Sequence, residues 1–442
     1  MQDAVTILGL GYVGFPTVMH FAESGVKVYG FDVNEKLIEK LKEGQIPYVE
    51  MKKEYELKRY LKEGLFVPTE DLKGAMEESR YILIIVPTPV KPDKTPDLRY
   101  VINAGELVYP HLKQGHLVVL ESTVYPGVTE EVLKPILEKS GLRTPEDFGL
   151  AYAPERYNPG DPEHTIENIA RIVGGITPQW AEEAKRLYDR IIKKGVTVVK
   201  DIKTAEAAKV IENIQRDLNI ALMNELALIF ERMGIDIMDV IEAASTKWNF
   251  NVYWPGAGVG GHCLPVDPYY LVKKAEELGY HSKIITAGRS INDYMPEHMF
   301  HLTLDALNEM GRAVKGSVVA VFGYSYKENV GDGRETPADK LIDLLLKYGA
   351  EVRVVDPFIG REGLPHYTDP YTSLEGADAL VLVTPHDAFK ELDLDVVKKK
   401  MRTSIIIDGR RIFDPEEVER RGMLYKGVGW GRNPIKWDGE SP

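Results

Sequence analysis

Val5-Thr6-Ile7-Leu8-Gly9-Leu10-Gly11-Tyr12-Val13-Gly14 is the stretch whose reading decides the fold. A short β-branched, apolar run passes straight into a G-x-G-x-x-G turn, and the residues after Gly14 continue as a helix. Each glycine has a physical task. Gly9 permits a tight turn, Gly11 lets the backbone approach a pyrophosphate, and Gly14 lets helix and strand pack closely. A diphosphate placed there meets the positive end of the helix dipole. Tyr12 and Val13, inside the turn, belong to the same cofactor-binding set. The next strand, Val28-Tyr29-Gly30-Phe31, ends on Asp32, eighteen residues after Gly14. A carboxylate there accepts hydrogen bonds from a ribose diol and repels a 2′-phosphate, so the expected cofactor is NAD rather than NADP.

Working outward, Val26–Phe31, Tyr81–Val86, Leu117–Leu120 and Gly149–Tyr152 read as further buried strands separated by helical patterns, as in a parallel sheet built from βαβ units. From Lys203 to Met233 the pattern changes. Ala208, Ile211, Ile214, Leu218, Leu222, Leu226 and Ile229 recur at spacings of three or four, which predicts one long helix with an apolar stripe, stopped by Gly234. Strands return at Ser317–Gly323, Glu351–Val355, Ala379–Val383 and Ser404–Ile407, with a helix over Thr336–Tyr348. The expected fold is α/β: two Rossmann-like parallel-sheet domains, 1–200 and 313–442, joined by a central helical domain, 201–312, with one long spine helix. The tail after Trp430 is polar.

Composition narrows the function. The chain has 442 residues, 55 Lys and Arg against 68 Asp and Glu, and a net charge of -13, which argues against a nucleic-acid partner. Its single cysteine permits no internal disulfide and fits a reducing compartment. The apolar runs are too short to span a bilayer, and the chain enters a strand at once with no leader pattern. The expectation is a cytoplasmic enzyme with no membrane partner.

That cysteine stands in Pro255-Gly256-Ala257-Gly258-Val259-Gly260-Gly261-His262-Cys263, followed by Leu264-Pro265-Val266-Asp267. A lone cysteine is more often a small buried hydrophobe. Four glycines just ahead of it change that reading, because they bring backbone N–H groups close to a ligand and can serve a developing oxyanion. Cys263 is therefore read as a reactive thiol. Thr88 and Thr123 follow strand ends where such sheets bind ligands, although lone loop threonines are as often structural. Lys209 and Asn213 share a face of the long helix; spacing alone does not lift them above a solvated polar face.

Taken in order, Gly9–Pro16, Val86–Pro89, Glu121–Gly127, Pro154–Gly160, Glu206–Glu225, Gly256–Pro268, Gly323–Pro337 and Asp408–Arg411 make the chain resemble the UDP-glucose/GDP-mannose dehydrogenase family over nearly its whole length. The resemblance implies an NAD domain, a helical domain that forms a homodimer, and a C-terminal domain that binds the nucleotide of a UDP-sugar. It implies a four-electron oxidation of the sugar C6 hydroxymethyl to a carboxylate. Matched by position, the nucleophile falls on Cys263, with Lys209, Asn213, Asp267, Glu155 and Thr123 as its catalytic companions. The same match puts Thr88, Thr123 and Arg334 at the cofactor. It puts Glu155, Arg156, Lys209, Asn213, Gly260, His262, Lys327 and Arg410 at the substrate.

Three places depart from the glucose members, which carry Phe, Ser and Lys where this chain has Val259, His262 and Val266. With Pro154-Glu155-Arg156, they resemble the branch that oxidises UDP-N-acetylmannosamine or UDP-N-acetylglucosamine, and the mannosamine epimer is favoured. UDP-glucose 6-dehydrogenase and a non-catalytic nucleotide-sugar-binding protein are the alternatives. A plain two-electron dehydrogenase would leave the cysteine loop unexplained. His298 and His301 lie three apart on a helix; ordinary helix histidines account for them, and no metal is expected.

Overall fold

The computed structural model describes residues 3–46, 53–157, 165–431. The end of the Pro154–Gly160 segment and most of the tail after Trp430 therefore lie outside the described residues. The chain divides into two compact units: 1–213 with 266–281, and 214–265 with 282–442. The division falls inside the long helix, which runs over Ile202–Met233.

The first unit is built on eight strands: β1 (Val5–Leu8), β2 (Val28–Phe31), β3 (Phe66–Thr69), β4 (Tyr81–Ile84), β5 (Leu117–Leu120), β6 (Gly149–Tyr152), β7 (Arg171–Gly175) and β8 (Val196–Val198). Their order is β3-β2-β1-β4-β5-β6-β7-β8. All neighbours run parallel except β6 and β7, which pair antiparallel. The sheet is buried on both faces, which is why its central strands are almost wholly apolar. In β4, Tyr81 and Leu83 enter one core while Ile82 and Ile84 enter the other.

The second unit repeats the plan with six strands, all parallel: β9 (Val318–Phe322), β10 (Glu351–Val355), β11 (His366–Tyr367), β12 (Ala379–Leu382), β13 (Ile405–Asp408) and β14 (Leu424–Gly427), in the order β11-β10-β9-β12-β13-β14. Val319 and Val321 face one core, and Val318, Ala320 and Phe322 the other. The architecture is thus α/β, with two largely parallel sheets and a helical region carried by Ile202–Met233, Ile237–Ser245 and Lys283–Glu309. Among the described residues, no helix is long and apolar enough to cross a membrane.

The apolar stripe of the long helix is not a core face throughout: Ile211, Leu222 and Ile229 are 57%, 49% and 44% exposed. What the helix buries instead includes Asp217, Asn224 and Glu231, spaced by two turns along one face. Each has a polar partner that makes burial tolerable. Asp217 pairs with Arg289, Asn224 with Asn292, and Glu231 with His298.

Candidate active site

At the carboxyl end of β1 the glycine turn is sterically exacting. Gly9 has φ +94, and a Cβ on it would lie 2.1 Å from the carbonyl oxygen of Ile85. A Cβ on Gly14 would lie 1.9 Å from the Gly9 oxygen, so helix Gly14–Glu23 can start this close to the turn only with glycine there. Gly11 faces open space. The N-cap residue, Val13, makes no side-chain capping bond, and the first turn carries no acidic residue. That end is therefore suited to an anion. Asp32 closes the corner: Oδ2 accepts from Leu10 N at 2.8 Å and Oδ1 from Asn34 N at 2.9 Å. Both oxygens keep a lone pair for a ribose diol. These residues fit NAD.

The next two loops on that edge are tied together. Ser122 Oγ donates to Val86 O at 2.8 Å and accepts from Val86 N at 2.9 Å. The loop after β4 reaches helix Asp267–Glu277, where Thr88 hydrogen-bonds Tyr270, whose hydroxyl donates to Pro89 O at 3.2 Å. The loop after β5 reaches the same tyrosine, with the Tyr125 and Tyr270 rings 6.1 Å apart. Thr123 is half-buried in that loop. Glu206, fully buried on the long helix, fastens the loop's far side. Its carboxylate accepts from Gly127 N at 2.6 Å, Thr129 N at 2.9 Å and Thr129 Oγ1 at 2.6 Å. Burial pushes the Glu206 carboxyl up to about 7, against those hydrogen bonds.

One turn on from Glu206 the long helix presents Lys209, and a turn later Asn213. Asn213 Nδ2 donates to the carboxylate of Asp267, the first residue of helix Asp267–Glu277. Asp267 is 2% exposed, and burial raises its carboxyl to about 6, with the Lys209 charge and the Asn213 hydrogen bond pulling it down. The structure thus brings Lys209, Asn213 and Asp267 together although 54 residues separate Asn213 from Asp267. The group can hold and move a proton near neutral pH.

Glu155 and Arg156 follow β6. Glu155 Oε1 accepts from the backbone N–H of Arg156 and of Tyr157, each at 2.7 Å, and Oε2 takes the buried Arg171 guanidinium. Arg171 also reaches Glu121 at 3.2 Å, whose other oxygen accepts from Tyr188 Oη at 2.6 Å. Two carboxylates share one cation, and burial raises the Glu121 carboxyl. Arg156 reaches the long helix, where it pairs with Glu212 at 2.6 Å.

In the second unit, the cysteine loop packs on the segment after β9. Gly261 N donates to Arg334 O at 3.1 Å, and the Tyr326 ring lies so close to Gly261 that a Cβ there would be 2.8 Å from it. Cys263 acts electrostatically on Tyr326, whose hydroxyl is pushed up to about 12, chiefly by burial, then by Asp332 and the cysteine. Arg334 is held by Asp332 through paired hydrogen bonds, with 3.0 Å from Nε to each carboxylate oxygen. Gly256, at the start of the loop, leaves room for Arg410, whose Nη1 would be 2.8 Å from a Cβ there. Arg410 follows β13, where Asp408 Oδ1 accepts from its N–H at 2.9 Å. Cys263, His262, Gly260 and Lys327 are all partly accessible.

Sequence reasoning did not single out Arg171, Tyr188 or Tyr270, and it met Glu121, Glu206, Asn224 and Tyr326 only inside motifs. Their partners are tens of residues away, and no local spacing announces such pairs. His298 is committed to Glu231 at 3.0 Å, and no cluster of three His, Cys, Asp or Glu suited to a metal occurs among the described residues.

A nucleotide-binding corner on one parallel sheet, a proton-handling Lys–Asn–Asp group beside it in the same unit, and a cysteine loop on the second define a nicotinamide-dependent oxidoreductase. Models of the UDP-glucose/GDP-mannose dehydrogenase family match the chain in three parts: the NAD binding domain over residues 3–192, the central domain over 203–294 and the UDP binding domain over 320–415. The chain belongs to that family. It is 41% identical to the UDP-N-acetyl-D-glucosamine 6-dehydrogenase of Pseudomonas aeruginosa, over 95% of this chain and 100% of the relative. It is 38% identical to the UDP-N-acetyl-D-mannosamine dehydrogenase of Pyrococcus horikoshii, over 97% and 99%. The solved structure of the UDP-D-ManNAc dehydrogenase from Pyrococcus horikoshii superposes with a TM-score of 0.91 at 36% identity, covering 97% of this chain and 100% of that one.

Proposed function

We propose that this protein is an NAD-dependent 6-dehydrogenase of a UDP-N-acetylhexosamine, converting the C6 hydroxymethyl to a carboxylate in two oxidations. The observation that carries the reading is the buried Lys209–Asn213–Asp267 group in a chain whose full length matches dehydrogenases of such sugars. NAD supplies the hydride acceptor for each oxidation, held by Gly9, Gly11, Tyr12, Val13, Gly14 and Asp32.

In the first oxidation, Asp267 takes the C6 hydroxyl proton, through water, as the carbon loses hydride and becomes an aldehyde. Lys209 and Asn213 stabilise negative charge on the C6 oxygen. The Cys263 thiolate adds to the aldehyde carbon, forming a carbon–sulfur bond and an alkoxide. Loss of the second hydride from that carbon leaves a thioester. Water, organised by Thr123 and by a Glu155 fixed in place by Arg171, cleaves it to the acid and restores the thiol. A covalent intermediate keeps the aldehyde bound between the two steps. Arg156, Gly260, His262, Lys327 and Arg410 are proposed to hold the UDP-sugar, Thr88 and Arg334 the cofactor. The exposed apolar side chains Ile211, Leu222, Ile229 and Met233 fall on one face of the long helix, which favours a homodimer formed through it.

The finer choice, UDP-N-acetyl-D-mannosamine, has the fold likeness on its side and the higher identity to a glucosamine enzyme against it. The test is NADH yield and product mass with NAD and UDP-glucose, UDP-N-acetylglucosamine or UDP-N-acetylmannosamine. Two NADH per sugar, with acid from an N-acetylated sugar alone, is expected. Acid from UDP-glucose alone overturns the substrate reading. Cys263→Ser should slow the second oxidation far more than the first, and an unchanged yield of acid would sink the covalent route.

A further inference from the structure

The glycine loop that ends at Cys263 is pinned at its near end by a buried chain of amides. Gly256 N donates to Asn224 Oδ1 at 2.8 Å. Asn224 Nδ2 donates to Asn292 Oδ1 at 2.8 Å. Asn292 Nδ2 in turn donates to the Asp217 carboxylate at 2.8 Å and to the Asp217 carbonyl at 3.0 Å. Asp217 is paired with Arg289 at 2.6 Å. Asn224, Asn292, Asp217 and Arg289 are each no more than 1% exposed.

This order has only one workable polarity. A carboxylate only accepts, so Asn292 must turn its NH2 toward Asp217 and its oxygen toward Asn224. Asn224 must then present NH2 to Asn292 and oxygen to Gly256. Flipping either amide sets donor against donor in a place where water cannot compensate. The donor at one end, Gly256 N–H, and the acceptor at the other, Asp217, therefore demand the same orientation of both amides. The loop itself, with glycine at 256, 258, 260 and 261, has little stiffness of its own. Two hydrogen bonds from its own N–H groups bracket it: Gly256 N to Asn224 Oδ1, and Gly261 N to Arg334 O at 3.1 Å.

We infer that Asn224 is a positioning residue for Cys263: the Asp217–Asn292–Asn224 relay fixes the register of the glycine loop and so sets where the thiolate stands. This rests on the reading of Cys263 as nucleophile. A relay that merely stabilises the fold would alter melting temperature and leave the thiol's behaviour alone.

Because the chain has one cysteine, alkylation by iodoacetamide reports Cys263 alone. In the full-length protein, Asn224→Ala should change the labelling rate several-fold. It should also lower kcat by about tenfold or more, as expected for a displaced reacting group, while KM for the UDP-sugar moves little. Asn292→Ala, which leaves Asn224 in place but unanchored, should act in the same direction by less, and it carries the test if Asn224→Ala does not fold. A folded variant with wild-type labelling rate and wild-type kcat overturns the inference. Cys263→Ser in the same assays separates the two failures. If it still makes acid, the nucleophile reading falls; if it does not and the Asn224 variant is unaffected, only the relay falls.

Discussion

Asp267 offers the sharpest quantitative handle. Burial lifts its carboxyl from the usual 3.8 to about 6, against the pull of Lys209 and Asn213. If Asp267 must be ionised to receive the C6 proton, kcat/KM should be halved near pH 6 and drop about tenfold for each further unit of acid. The effect on stability has the opposite sign. A carboxyl whose folded pKa lies above its unfolded value favours the folded state when protonated, so its contribution is full below about 3.8 and lost as pH rises through about 6. A shift of about two units corresponds to about 3 kcal/mol at most. Between those pH values the enzyme should gain activity while this group's contribution to stability disappears. The assay is initial-rate NADH formation across roughly pH 4.5 to 8, with thermal melts in the same buffers. Asp267→Asn should cost activity, remove the acid limb from what remains, and flatten the melting profile over that window. Lys209→Met should move the limb to higher pH, because the cation that favours the carboxylate is gone. An acid limb that stays in place in Asp267→Asn would refute the assignment.

Two further outcomes are expected. Asp32→Ala should relax the preference for NAD over NADP by about tenfold or more, since the carboxylate proposed to face the ribose is removed; steady-state kinetics with both cofactors checks this, and full discrimination in the variant would show that Asp32 does not read the ribose. Glu206→Gln should lower stability by about 2 kcal/mol, because the new NH2 must face an N–H or hydroxyl donor at Gly127 or Thr129. The wild type should also lose stability as pH rises from about 4.5 through about 7, the window set by the raised Glu206 carboxyl, and the variant should lack that slope.

The parts of the fold legible in the sequence are those where one physical demand acts on consecutive residues. Strands buried on both faces must be mostly apolar, so β1, β4, β5, β9, β12 and β13 stand out. Strands without that demand did not. β3, β8, β11 and β14 are sheet edges, partly open to water, and β3 contains Pro68. β7 carries Arg171 and two glycines, because its side chains serve an ion cluster and a close approach to helix Pro178–Tyr188. Periodicity identifies a helix, yet cannot tell a stripe turned to the core from one left outside.

The site divides along the same line. Gly9, Gly14 and Asp32 act through the backbone geometry of one turn and the end of the next strand, so a short window contains their whole meaning. Asp267 needs the burial that the folded chain gives it to acquire its raised carboxyl, and Glu155 needs Arg171 to be held. Neither property exists until the chain has brought distant segments together. The Asn224 relay is the extreme case. Asparagine on a helix interior is locally unfavourable and reads as a solvated position. Here its two polar ends are both consumed, by Gly256 and by Asn292, and the Gly256 N–H and the far Asp217 carboxylate demand the same orientation. A residue whose partners lie 32 and 68 residues away along the chain has no signature in its own neighbourhood, so the folded chain is where such a role becomes readable.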